Sequence, residues 1–404
     1  MKAVNGRDDL DESFEVVATN DIKKTILHIS HTDVRTDSRI LKELAAHQES
    51  DRFDVFAIGV SASDENPPAE IHPDIKIDTL KLASNRSKWN PRPLRHFLTL
   101  LELFFRAGWR ALRRSPDVIH CHDTLVLPIG FIVKLLTGAK LVYDAHELES
   151  NKNGQTKVLS KSTLLIEKAC WRKIDLLVSV SPSILSWYEE NLGKKKNVLV
   201  LNSPVFDNEV IDSDKESSNS KYFHDKFGIP EDSLVFLYLG ILSKGRGIEI
   251  ILDSFSNTSV KSHVVFMGFG ELSKTIKDSE EKYQNIHLHP PVTHDVVVEL
   301  AKSADVGLCL IEEVSLSDYY CLPNKLFEYA FSGIPVLASN FPDLKKYVEL
   351  YGLGRCSDID PLSLSKSIQQ VEKNPPGRLN TDLTELSWQY QAQKLVSTYK
   401  DVFE

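Results

Sequence analysis

Lys325 and Glu328 stand three residues apart in the stretch CLPNKLFEYAFSGIPVLAS, residues 321–339. Pro323 suits the first position of a helix and Gly333 its C-terminal cap, so the pattern predicts a helix between them. The apolar residues of this helix can pack against a sheet, which leaves the cation and the carboxylate on its remaining face. Such a pair is either a weak surface ion pair or part of a site for a polar ligand, and this stretch alone leaves both interpretations open.

Further polar residues follow the predicted strands, at the edge where open parallel sheets bind their ligands. In the first half of the chain they lie in the segments SHTDVRTDSR (30–39), HCHD (120–123) and DAHE (144–147). In the second half they lie in GILSKGRG (240–247), MGFGE (267–271), HPPVTHD (289–295) and SNFPD (339–343). Two such edges facing each other would form a cleft.

Each of these segments has more than one interpretation. Two glycines frame Arg246 in SKGRG directly before a predicted helix, which suits a phosphate site, and a solvated turn is the alternative. HCHD places two histidines on one face of a strand, and histidine is a metal ligand. A single histidine after a strand is more often structural, and the glycine pair at Gly268 is also typical of an ordinary tight turn.

The elements that must position these residues follow from the apolar pattern. Short apolar segments alternate with longer helical patterns, which predicts parallel strands covered on both faces. These segments are 25–30, 53–60, 75–80, 117–121, 139–146, 175–180 and 197–201, followed by 233–240, 263–268, 286–289, 305–310 and 334–339. The polar, Ser-rich residues 207–221 predict a linker between two doubly wound α/β domains. The last 20 residues predict an amphipathic helix.

Length and composition narrow the class of protein. The chain has 404 residues, too many for one core, and its net charge of −9 argues against nucleic acid as a partner. Five scattered cysteines argue for a reducing compartment and against a disulfide framework. The N-terminus has no apolar signal segment, and no stretch approaches the roughly 20 apolar residues of a membrane span. We therefore expect a cytoplasmic protein.

The segment PNKLFEYAFSGIPV (323–336) resembles the C-terminal signature of the retaining glycosyltransferases of family 4. YLGILSKGRGIE (238–249) is similar to the family's phosphate-binding turn, and LVYDAHELE (141–149) to the strand that carries its active-site histidine. The resemblance extends over roughly residues 25 to 402. It implies the GT-B fold, in which two Rossmann-like domains enclose a cleft and a C-terminal helix crosses back onto the first domain.

This resemblance also implies boundaries along the chain. We expect an acidic flexible tail at 1–22, an acceptor-binding domain at 23–203, a linker at 204–232, a nucleotide-sugar-binding domain at 233–385 and the crossover helix at 386–404.

The resemblance implies roles for individual residues. Glu328 would accept hydrogen bonds from the donor ribose, Arg246 would contact the diphosphate, and His146 would approach the transferring sugar. The expected catalytic residues are His146, Arg246 and Lys325. The other expected donor-binding residues are Asn324, Lys244, Gly245, Gly268, Val292, Tyr320 and Leu322. The acceptor or sugar side is assigned to Asp33, His122, Asp123 and Glu147.

Two positions depart from the family pattern. Tyr320 replaces the first glutamate of the signature, which usually contacts the donor sugar, and Ile241 replaces an arginine of the phosphate clamp. Lys244 or Lys325 can supply the missing cation. The resemblance implies sugar transfer with retention from a nucleotide sugar, with UDP favoured and GDP the alternative. The implied acceptor is a glycan or lipid-linked molecule in cell-surface polysaccharide or glycoconjugate synthesis.

The chemistry of such a transfer needs cations where the leaving diphosphate gains negative charge, and it requires no metal or cofactor. Two alternatives stay open. One is a hydrolase or epimerase that uses the same cleft. The other is a nucleotide-sugar-binding protein without catalysis, which the departures at Tyr320 and Ile241 leave open.

Residues 86–114, RSKWNPRPLRHFLTLLELFFRAGWRALRR, combine eight cations with aromatic residues. In an acidic protein this predicts a basic amphipathic helix. Such a helix can lie on an anionic membrane, which would place the protein peripherally at the inner face of the plasma membrane. The alternative is a helix packed on its own domain with a solvated basic face.

Overall fold

The computed structural model describes residues 23–61, 75–86, 91–205 and 221–403. The predicted acidic tail at 1–22, the central part of the predicted linker (206–220) and residues 87–90 of the basic segment lie outside the described residues. The described strands form two parallel sheets, of seven and six strands.

The first sheet is built from the first half of the chain. Its strands are β1 Lys24–Ile29, β2 Phe53–Val60, β3 Lys76–Leu80, β4 Val118–His122, β5 Lys140–Ala145, β6 Leu176–Ser179 and β7 Asn197–Leu199. Their order is β3-β2-β1-β4-β5-β6-β7. The direction of strand addition reverses between β1 and β4, which opens a crevice at the carboxyl ends of these two strands.

The second sheet repeats this plan. Its strands are β8 Val235–Ile241, β9 His263–Phe269, β10 Ile286–His289, β11 Val306–Cys309, β12 Val336–Ser339 and β13 Gly354–Ser357. Their order is β10-β9-β8-β11-β12-β13, so the reversal falls between β8 and β11. The sequence did not predict β13, because the residues of this edge strand, GRCS, are polar and mostly accessible.

Helices cover both faces of each sheet. In the first half they are α1 Ser38–Glu49, α2 Ala83–Arg86, α3 Arg92–Arg114, α4 Leu127–Thr137, α5 Lys157–Trp171 and α6 Pro182–Leu192. In the second half they are α7 Tyr222–Phe227, α8 Ile248–Phe255, α9 Ser273–Glu280, α10 His294–Ala301, α11 Leu316–Tyr319, α12 Asn324–Phe331, α13 Pro342–Leu350, α14 Pro361–Lys373 and α15 Trp388–Phe403. None of the described helices is both long enough and apolar enough to cross a bilayer.

The last helix returns to the first sheet. α15 buries Trp388, Leu395, Tyr399 and Phe403 in the core that α1 shares with β1, β2 and the neighbouring strands. The opposite face of this sheet is covered by α3, α4, α5 and α6. These arrangements confirm the predicted α/β class, with two doubly wound domains and a crossover helix.

The helix of the signature needs one correction. It begins at Asn324, with Pro323 as its N-cap, and Gly333 follows its end with a φ of 71°, a left-handed conformation that terminates helices. The expectation that Lys325 and Glu328 lie on an open face is wrong, because each is only 8% exposed. The neighbouring helix α10 packs against α12.

Candidate active site

Three imidazole rings stack on one face of the first sheet, over the neighbouring strands β1 and β4. His28 on β1 and His120 on β4 are register partners, and His122 follows two residues later on the same face. The ring centroids of His28 and His120 are 4.4 Å apart, as are those of His120 and His122, and the ring planes differ by 20° and 21°. All three rings are fully buried.

Hydrogen bonds join histidines into a chain that leads to the carboxyl edge of the sheet. His47 Nδ1 lies 3.2 Å from His28 Nε2, and His28 Nδ1 lies 2.9 Å from His122 Nε2. His122 Nδ1 lies 3.1 Å from His146 Nε2. Each link needs one donor and one acceptor, so the ring tautomers must be ordered in one direction. His122, expected on the acceptor side, is buried within this chain and cannot touch an acceptor.

Asp144 is the negative centre of this cluster. Its carboxylate accepts a hydrogen bond from Arg39 at 3.1 Å and lies 3.0 Å from His146 Nε2. Burial raises the pKa of Asp144, but Arg39 and His146 outweigh burial and hold this pKa well below its usual range. Arg39 also pairs with Glu43 at 3.0 Å, and burial beside Asp144 raises the pKa of Glu43 to about 8. Asp144 is therefore the ionised carboxylate of the two at neutral pH.

His146 lies at the end of this chain, with 19% of its side chain exposed. Burial alone would lower the pKa of its imidazole, but Asp144 and Asp123 reverse this effect and raise the pKa to about 10. His146 is therefore a cation at neutral pH, and it acts as a hydrogen-bond donor rather than as a base.

Asp123 and Glu149 form a carboxyl pair beside His146. Asp123 ends β4 with a φ of 67°, which is uncommon for a residue with a side chain, and lies 3.8 Å from both His146 Nδ1 and His31 Nδ1. Burial raises the pKa of Glu149 and Asp123 adds to this shift, so Glu149 carries the proton in the hydrogen bond between the two carboxyl groups. Lys152 pairs with Glu149 at 2.6 Å.

Asp33 and Glu147, the two other residues assigned to the acceptor side, differ in exposure. Asp33 is 6% exposed and accepts hydrogen bonds from the side chain of Arg35 at 2.8 and 2.6 Å. It also accepts from the backbone amide of Arg35 at 3.2 Å, which caps the short helical turn Val34–Thr36. Glu147 has 53% of its side chain exposed and lies 4.0 Å from Lys152. Glu147 can meet a ligand, whereas Asp33 stabilises a local turn.

On the second sheet, the turn before α8 presents two cations. Lys244 is exposed and Arg246 is half-buried. Gly247 has a φ of 73° and is the N-cap of α8, and its amide donates to Glu312 at 3.1 Å. The amide of Lys244 donates to Glu271 at 3.2 Å. The carboxylates of Glu271 and Glu312 thus accept hydrogen bonds from backbone amides of the turn. The side chains of both cations stay at least partly accessible.

The ends of β8 and β9 approach each other closely. A Cβ atom on Gly268 would lie 1.9 Å from the carbonyl oxygen of Gly240, so this position has no room for a side chain. The next register pair, Ile241 and Phe269, is 60% and 64% exposed. Two exposed apolar side chains at a strand edge form a surface on which a sugar or base ring can pack. The sequence reasoning did not single out Phe269.

Lys325 and Arg246 both act electrostatically on Cys321, which precedes α12. Lys325 Nζ lies 3.9 Å from the centre of the Tyr238 ring, and within the described part of the chain it has no hydrogen-bond partner. Burial raises the pKa of the Cys321 thiol, and Arg246 and Lys325 both act against this shift. Both cations are therefore close enough to Cys321 to act on the same thiol.

Glu328 on α12 acts electrostatically on Lys42 of the first domain. Burial and Arg39 lower the pKa of Lys42 on α1 to about 8, and Glu328 is one of the carboxylates that oppose this effect. Lys42 also donates to Asn202 at 3.0 Å and lies 4.8 Å from the centre of the Trp388 ring. Glu328 therefore lies within electrostatic range of α1, and its role at the cleft stays a prediction.

The remaining donor-side candidates occupy different environments. Val292 is half-buried and packs on the core of the second sheet, and Leu322 is 4% exposed in the same core. Leu322 can therefore offer a ligand only its backbone. Asn324 is half-buried at the first position of α12. Tyr320 packs against the apolar core of the first sheet, so it joins the two domains.

Direct contacts hold the two domains together across the cleft. The amide of Leu148 donates to Ser317 Oγ at 3.1 Å, and the amide of Leu316 donates to Asn151 Oδ1 at 3.0 Å. Asn153 lies so close to Gly245 that its side-chain nitrogen would be 3.0 Å from a Cβ atom built there. The segment after β5 therefore touches both the turn before α8 and the short helix α11.

Among the described residues, two groups of side chains have distances that a metal ion could bridge. One group is His28, Glu43, His120 and His122, and the other is His122, Asp144 and His146. Stacked, nearly parallel rings do not direct their lone pairs to a single point, and Arg39 adds a positive charge to the same cluster. This arrangement fits a hydrogen-bonded network better than a metal site.

Sequence reasoning missed most of this network. Arg39, Glu43 and His47 lie on α1, and their polar atoms meet β4 and β5 only after folding. The partner of Arg39 is 105 residues away, and no spacing within the segment 30–39 indicates that partner.

The two parallel sheets, the cleft and the crossover helix define a GT-B glycosyltransferase fold. Residues 38–203 match the family described as Glycosyl transferase 4-like domain, and residues 219–387 match Glycosyl transferases group 1. The chain belongs to this family of group 1 glycosyltransferases with a family 4-like N-terminal domain.

Solved structures share this fold at low sequence identity. Sucrose-phosphate synthase from Thermosynechococcus elongatus has a TM-score of 0.74 and 15% identity, over 94% of this chain and 99% of that chain. HepE from Anabaena in complex with UDP-glucose has a TM-score of 0.61 and 14% identity, over 94% and 95%. A putative UDP-N-acetylglucosamine 2-epimerase from Listeria monocytogenes has a TM-score of 0.55 and 15% identity, over 95% and 97%. No curated protein matches the sequence.

Proposed function

We propose that this protein transfers a hexose, with retention, from a nucleotide sugar to a glycan or a lipid-linked acceptor. A UDP-sugar is the favoured donor and a GDP-sugar the alternative. The proposed role is the synthesis of a cell-surface polysaccharide or glycoconjugate. One observation carries the proposal: direct contacts between the domains bring the edge with cationic His146 against the edge with Arg246 and Lys325. A relative of the same fold was solved with UDP and with UDP-glucose.

The proposed donor site lies on the second domain, residues 233–385. The diphosphate lies between Arg246, Lys244 and the start of α12, whose free amides favour an anion. Lys325 turns its ammonium from the ring of Tyr238 to a phosphate oxygen. Glu328, one turn further along α12, accepts hydrogen bonds from the ribose hydroxyls.

The proposed acceptor site lies on the first domain, residues 23–203. Asp123 and Glu147 hold hydroxyl groups of the acceptor, because both are carboxylates at the carboxyl edge of the first sheet. His146 donates a hydrogen bond to the transferring sugar, since its imidazolium holds its proton at neutral pH.

The proposed reaction follows from where charge develops. The bond between the anomeric carbon and the diphosphate breaks, and negative charge grows on the departing phosphate oxygen, where Arg246 and Lys325 stabilise it. The acceptor hydroxyl bonds to the anomeric carbon on the same face, and its proton passes to the departing phosphate. Neither a metal ion nor a separate base is assigned to any of these steps.

A donor screen tests this proposal. A saturating nucleotide sugar should stabilise the protein by about 3 to 4 kcal/mol, as expected for a ligand at 100 to 1,000 times its dissociation constant. NMR of the product should show the anomeric configuration of the donor. Arg246→Gln should weaken nucleotide binding, and Lys366→Gln, an exposed cation on α14, is the matched control. A protein that no UDP-sugar or GDP-sugar stabilises would contradict the proposal.

A second candidate is a hydrolase or epimerase, because one structural neighbour is described as a putative epimerase. Such an enzyme would consume its nucleotide sugar without an acceptor. A transferase should release nucleoside diphosphate at a rate that rises with acceptor concentration, and a non-catalytic binding protein should release none. Turnover measured with and without acceptor separates these three cases.

The proposal also places the reaction in the cytoplasm, at the inner face of the plasma membrane. The basic amphipathic segment 86–114 supports this location, because it offers cations to anionic lipids.

A further inference from the structure

The outward side of α3, α4 and α5 is unusually apolar. More than half of the exposed large apolar side chains in the described part of the molecule lie between Leu94 and Leu165. They include Phe105 on α3 at 67% exposure, Leu136 on α4 at 68%, and Leu165 on α5 at 68%. Apolar surface on this scale marks an interaction site rather than scattered surface residues.

These three helices form one continuous surface. Ala107 of α3, Val133 of α4 and Cys170 of α5 are buried in the same core on one face of the first sheet. α3 contacts α4, and α4 contacts α5, so their outward sides are neighbours. We call the exposed residues of α3, α4 and α5 together the outer helical face.

The charge of the outer helical face is opposite to that of the protein. The whole chain has a net charge of −9. The three helices contain only two carboxylates, of which Glu167 is fully buried and Glu102 accepts hydrogen bonds from Ser84 and Arg106. Their exposed cations include Arg113, Lys157, Lys161 and Lys168. The face therefore offers apolar groups and positive charge together.

We propose that the outer helical face docks on an anionic membrane. Its apolar side chains would enter the boundary between headgroups and acyl chains, and its cations would meet the anionic headgroups. The sequence of residues 86–114 predicts one membrane-binding helix. The structure places α4 and α5 beside it, so that the proposed docking surface includes all three helices. A second copy of this chain is a poorer occupant, because pairing two of these faces would bring like charges together.

The outer helical face borders the acceptor side of the cleft. Leu125 is 43% exposed and follows Asp123 by two residues, and Val158 at the start of α5 is 76% exposed. Docking would therefore hold the carboxyl edge of the first sheet at headgroup level. This consequence rests on the proposed function, in which the acceptor would then be lipid-linked, whereas docking itself needs no transferase activity.

Vesicle flotation tests the proposal with the full chain. The protein should float with vesicles of phosphatidylcholine and phosphatidylglycerol, and much less with phosphatidylcholine alone. Leu136→Asp should weaken binding at least about tenfold, because it replaces an exposed apolar group that docking would bury in the membrane. The double variant Lys161→Gln and Lys168→Gln should weaken binding by about fivefold per cation, and added salt should do the same. Leu362→Asp on α14, where the leucine is 62% exposed, is the matched control and should leave binding unchanged.

Three results would overturn the proposal. They are equal flotation on both vesicle types, equal loss in Leu136→Asp and Leu362→Asp, or a dimer in vesicle-free solution that Leu136→Asp dissociates. The thermal shift of Leu136→Asp with a nucleotide sugar separates this proposal from the proposed function. If Leu136→Asp no longer floats but a nucleotide sugar still raises its melting temperature, the docking proposal is supported and the proposed function is unaffected. If the protein floats but no nucleotide sugar raises its melting temperature, the proposed function is contradicted and the docking proposal is unaffected.

Discussion

The two sheet edges that meet in the cleft are built in different ways. The edge of the first sheet consists of buried charged side chains, with Asp144 between Arg39 and His146 and a chain of imidazoles behind it. The edge of the second sheet consists of closely approaching glycines and a turn, from which Lys244 and Arg246 project at least partly accessible.

The difference in burial between the charged groups of the two edges suits the edges to different tasks. Charges buried among fixed partners interact strongly and do not reorganise, which suits the group that meets the reacting sugar. Accessible cations on a turn are screened by water until a ligand displaces it, which suits binding and release of a nucleotide. The first edge should therefore control folding and rate, and the second edge should control affinity.

The largest expected effect is that of Asp144→Asn. It leaves Arg39 and His146 without their buried carboxylate, which should lower the free energy of unfolding by about 3 to 5 kcal/mol. Glu271→Gln on the second edge is the matched control and should change it by less than about 1 kcal/mol, since Glu271 is exposed. Urea denaturation of both variants measures these changes. Equal losses of unfolding free energy would show that the two edges do not differ in their contribution to folding.

His146→Gln should act on rate. It removes a charged donor from the reacting sugar, so kcat should fall about 100- to 1,000-fold while the donor dissociation constant stays nearly unchanged. His263→Gln is the control, because His263 has a similar partner, His287 at 2.9 Å, outside the cleft. Steady-state kinetics with calorimetric titration check this, and a variant that lost affinity at unchanged kcat would contradict it.

The charge of His146 should also make stability depend on pH. Its pKa of about 10 lies above the ordinary value of 6.5, so its protonated form stabilises the folded state. This contribution is complete below pH 6.5 and is lost as the pH rises toward 10. The difference in unfolding free energy between the protein and His146→Gln should therefore shrink with rising pH. If the difference in unfolding free energy instead grows as the pH rises, the protonated form of His146 does not stabilise the folded state.

Glu328→Gln tests the second edge. The variant keeps the shape of the side chain but weakens the acceptor for ribose hydroxyls, a contact worth about 1.5 to 3 kcal/mol. The donor dissociation constant should rise about ten- to a hundredfold. Glu313→Gln, on the exposed loop before α11, is the control. Calorimetric titration and melting curves decide the result: unchanged nucleotide affinity with lowered stability would make Glu328 a structural residue.

The smallest effect concerns the contact between the two edges. Ser317→Ala removes the hydrogen bond to the amide of Leu148, worth about 1 kcal/mol, and should weaken donor binding about fivefold. Small-angle scattering should show a more open average shape, and compaction when nucleoside diphosphate is added. Ser332→Ala removes a hydrogen bond to Val298 within the second domain and should leave the scattering unchanged. Identical curves for all samples would contradict domain closure.

The two sheets could be predicted from the sequence because their strands are continuous apolar segments, as in VFLYLGI and HVVFMGF. The strand GRCS has no such pattern, so β13 was not predicted. Its hydrogen bonds to β12 form only when the sheet assembles.

The site could be predicted in part. His146, Arg246 and Lys325 were predicted to be catalytic because their local segments resemble a family signature, and their roles stay predictions. The burial of Glu328 was not predicted, because it depends on packing around α12 by other parts of the chain, among them α10. The charge of His146 was not predicted either, since it depends on Asp144 and Asp123 acting together on a buried ring.

The return of α15 to the first sheet has a consequence for biosynthesis. Tyr399 lies with its hydroxyl 2.5 Å from His120 Nδ1, and Leu395 fills the same core, yet a ribosome makes both residues only after the entire second domain. Until then the apolar groove beside α1 stays open to water. The half of the enzyme that is translated first therefore completes its core last, and a chain interrupted before Trp388 would display that groove to chaperones and proteases.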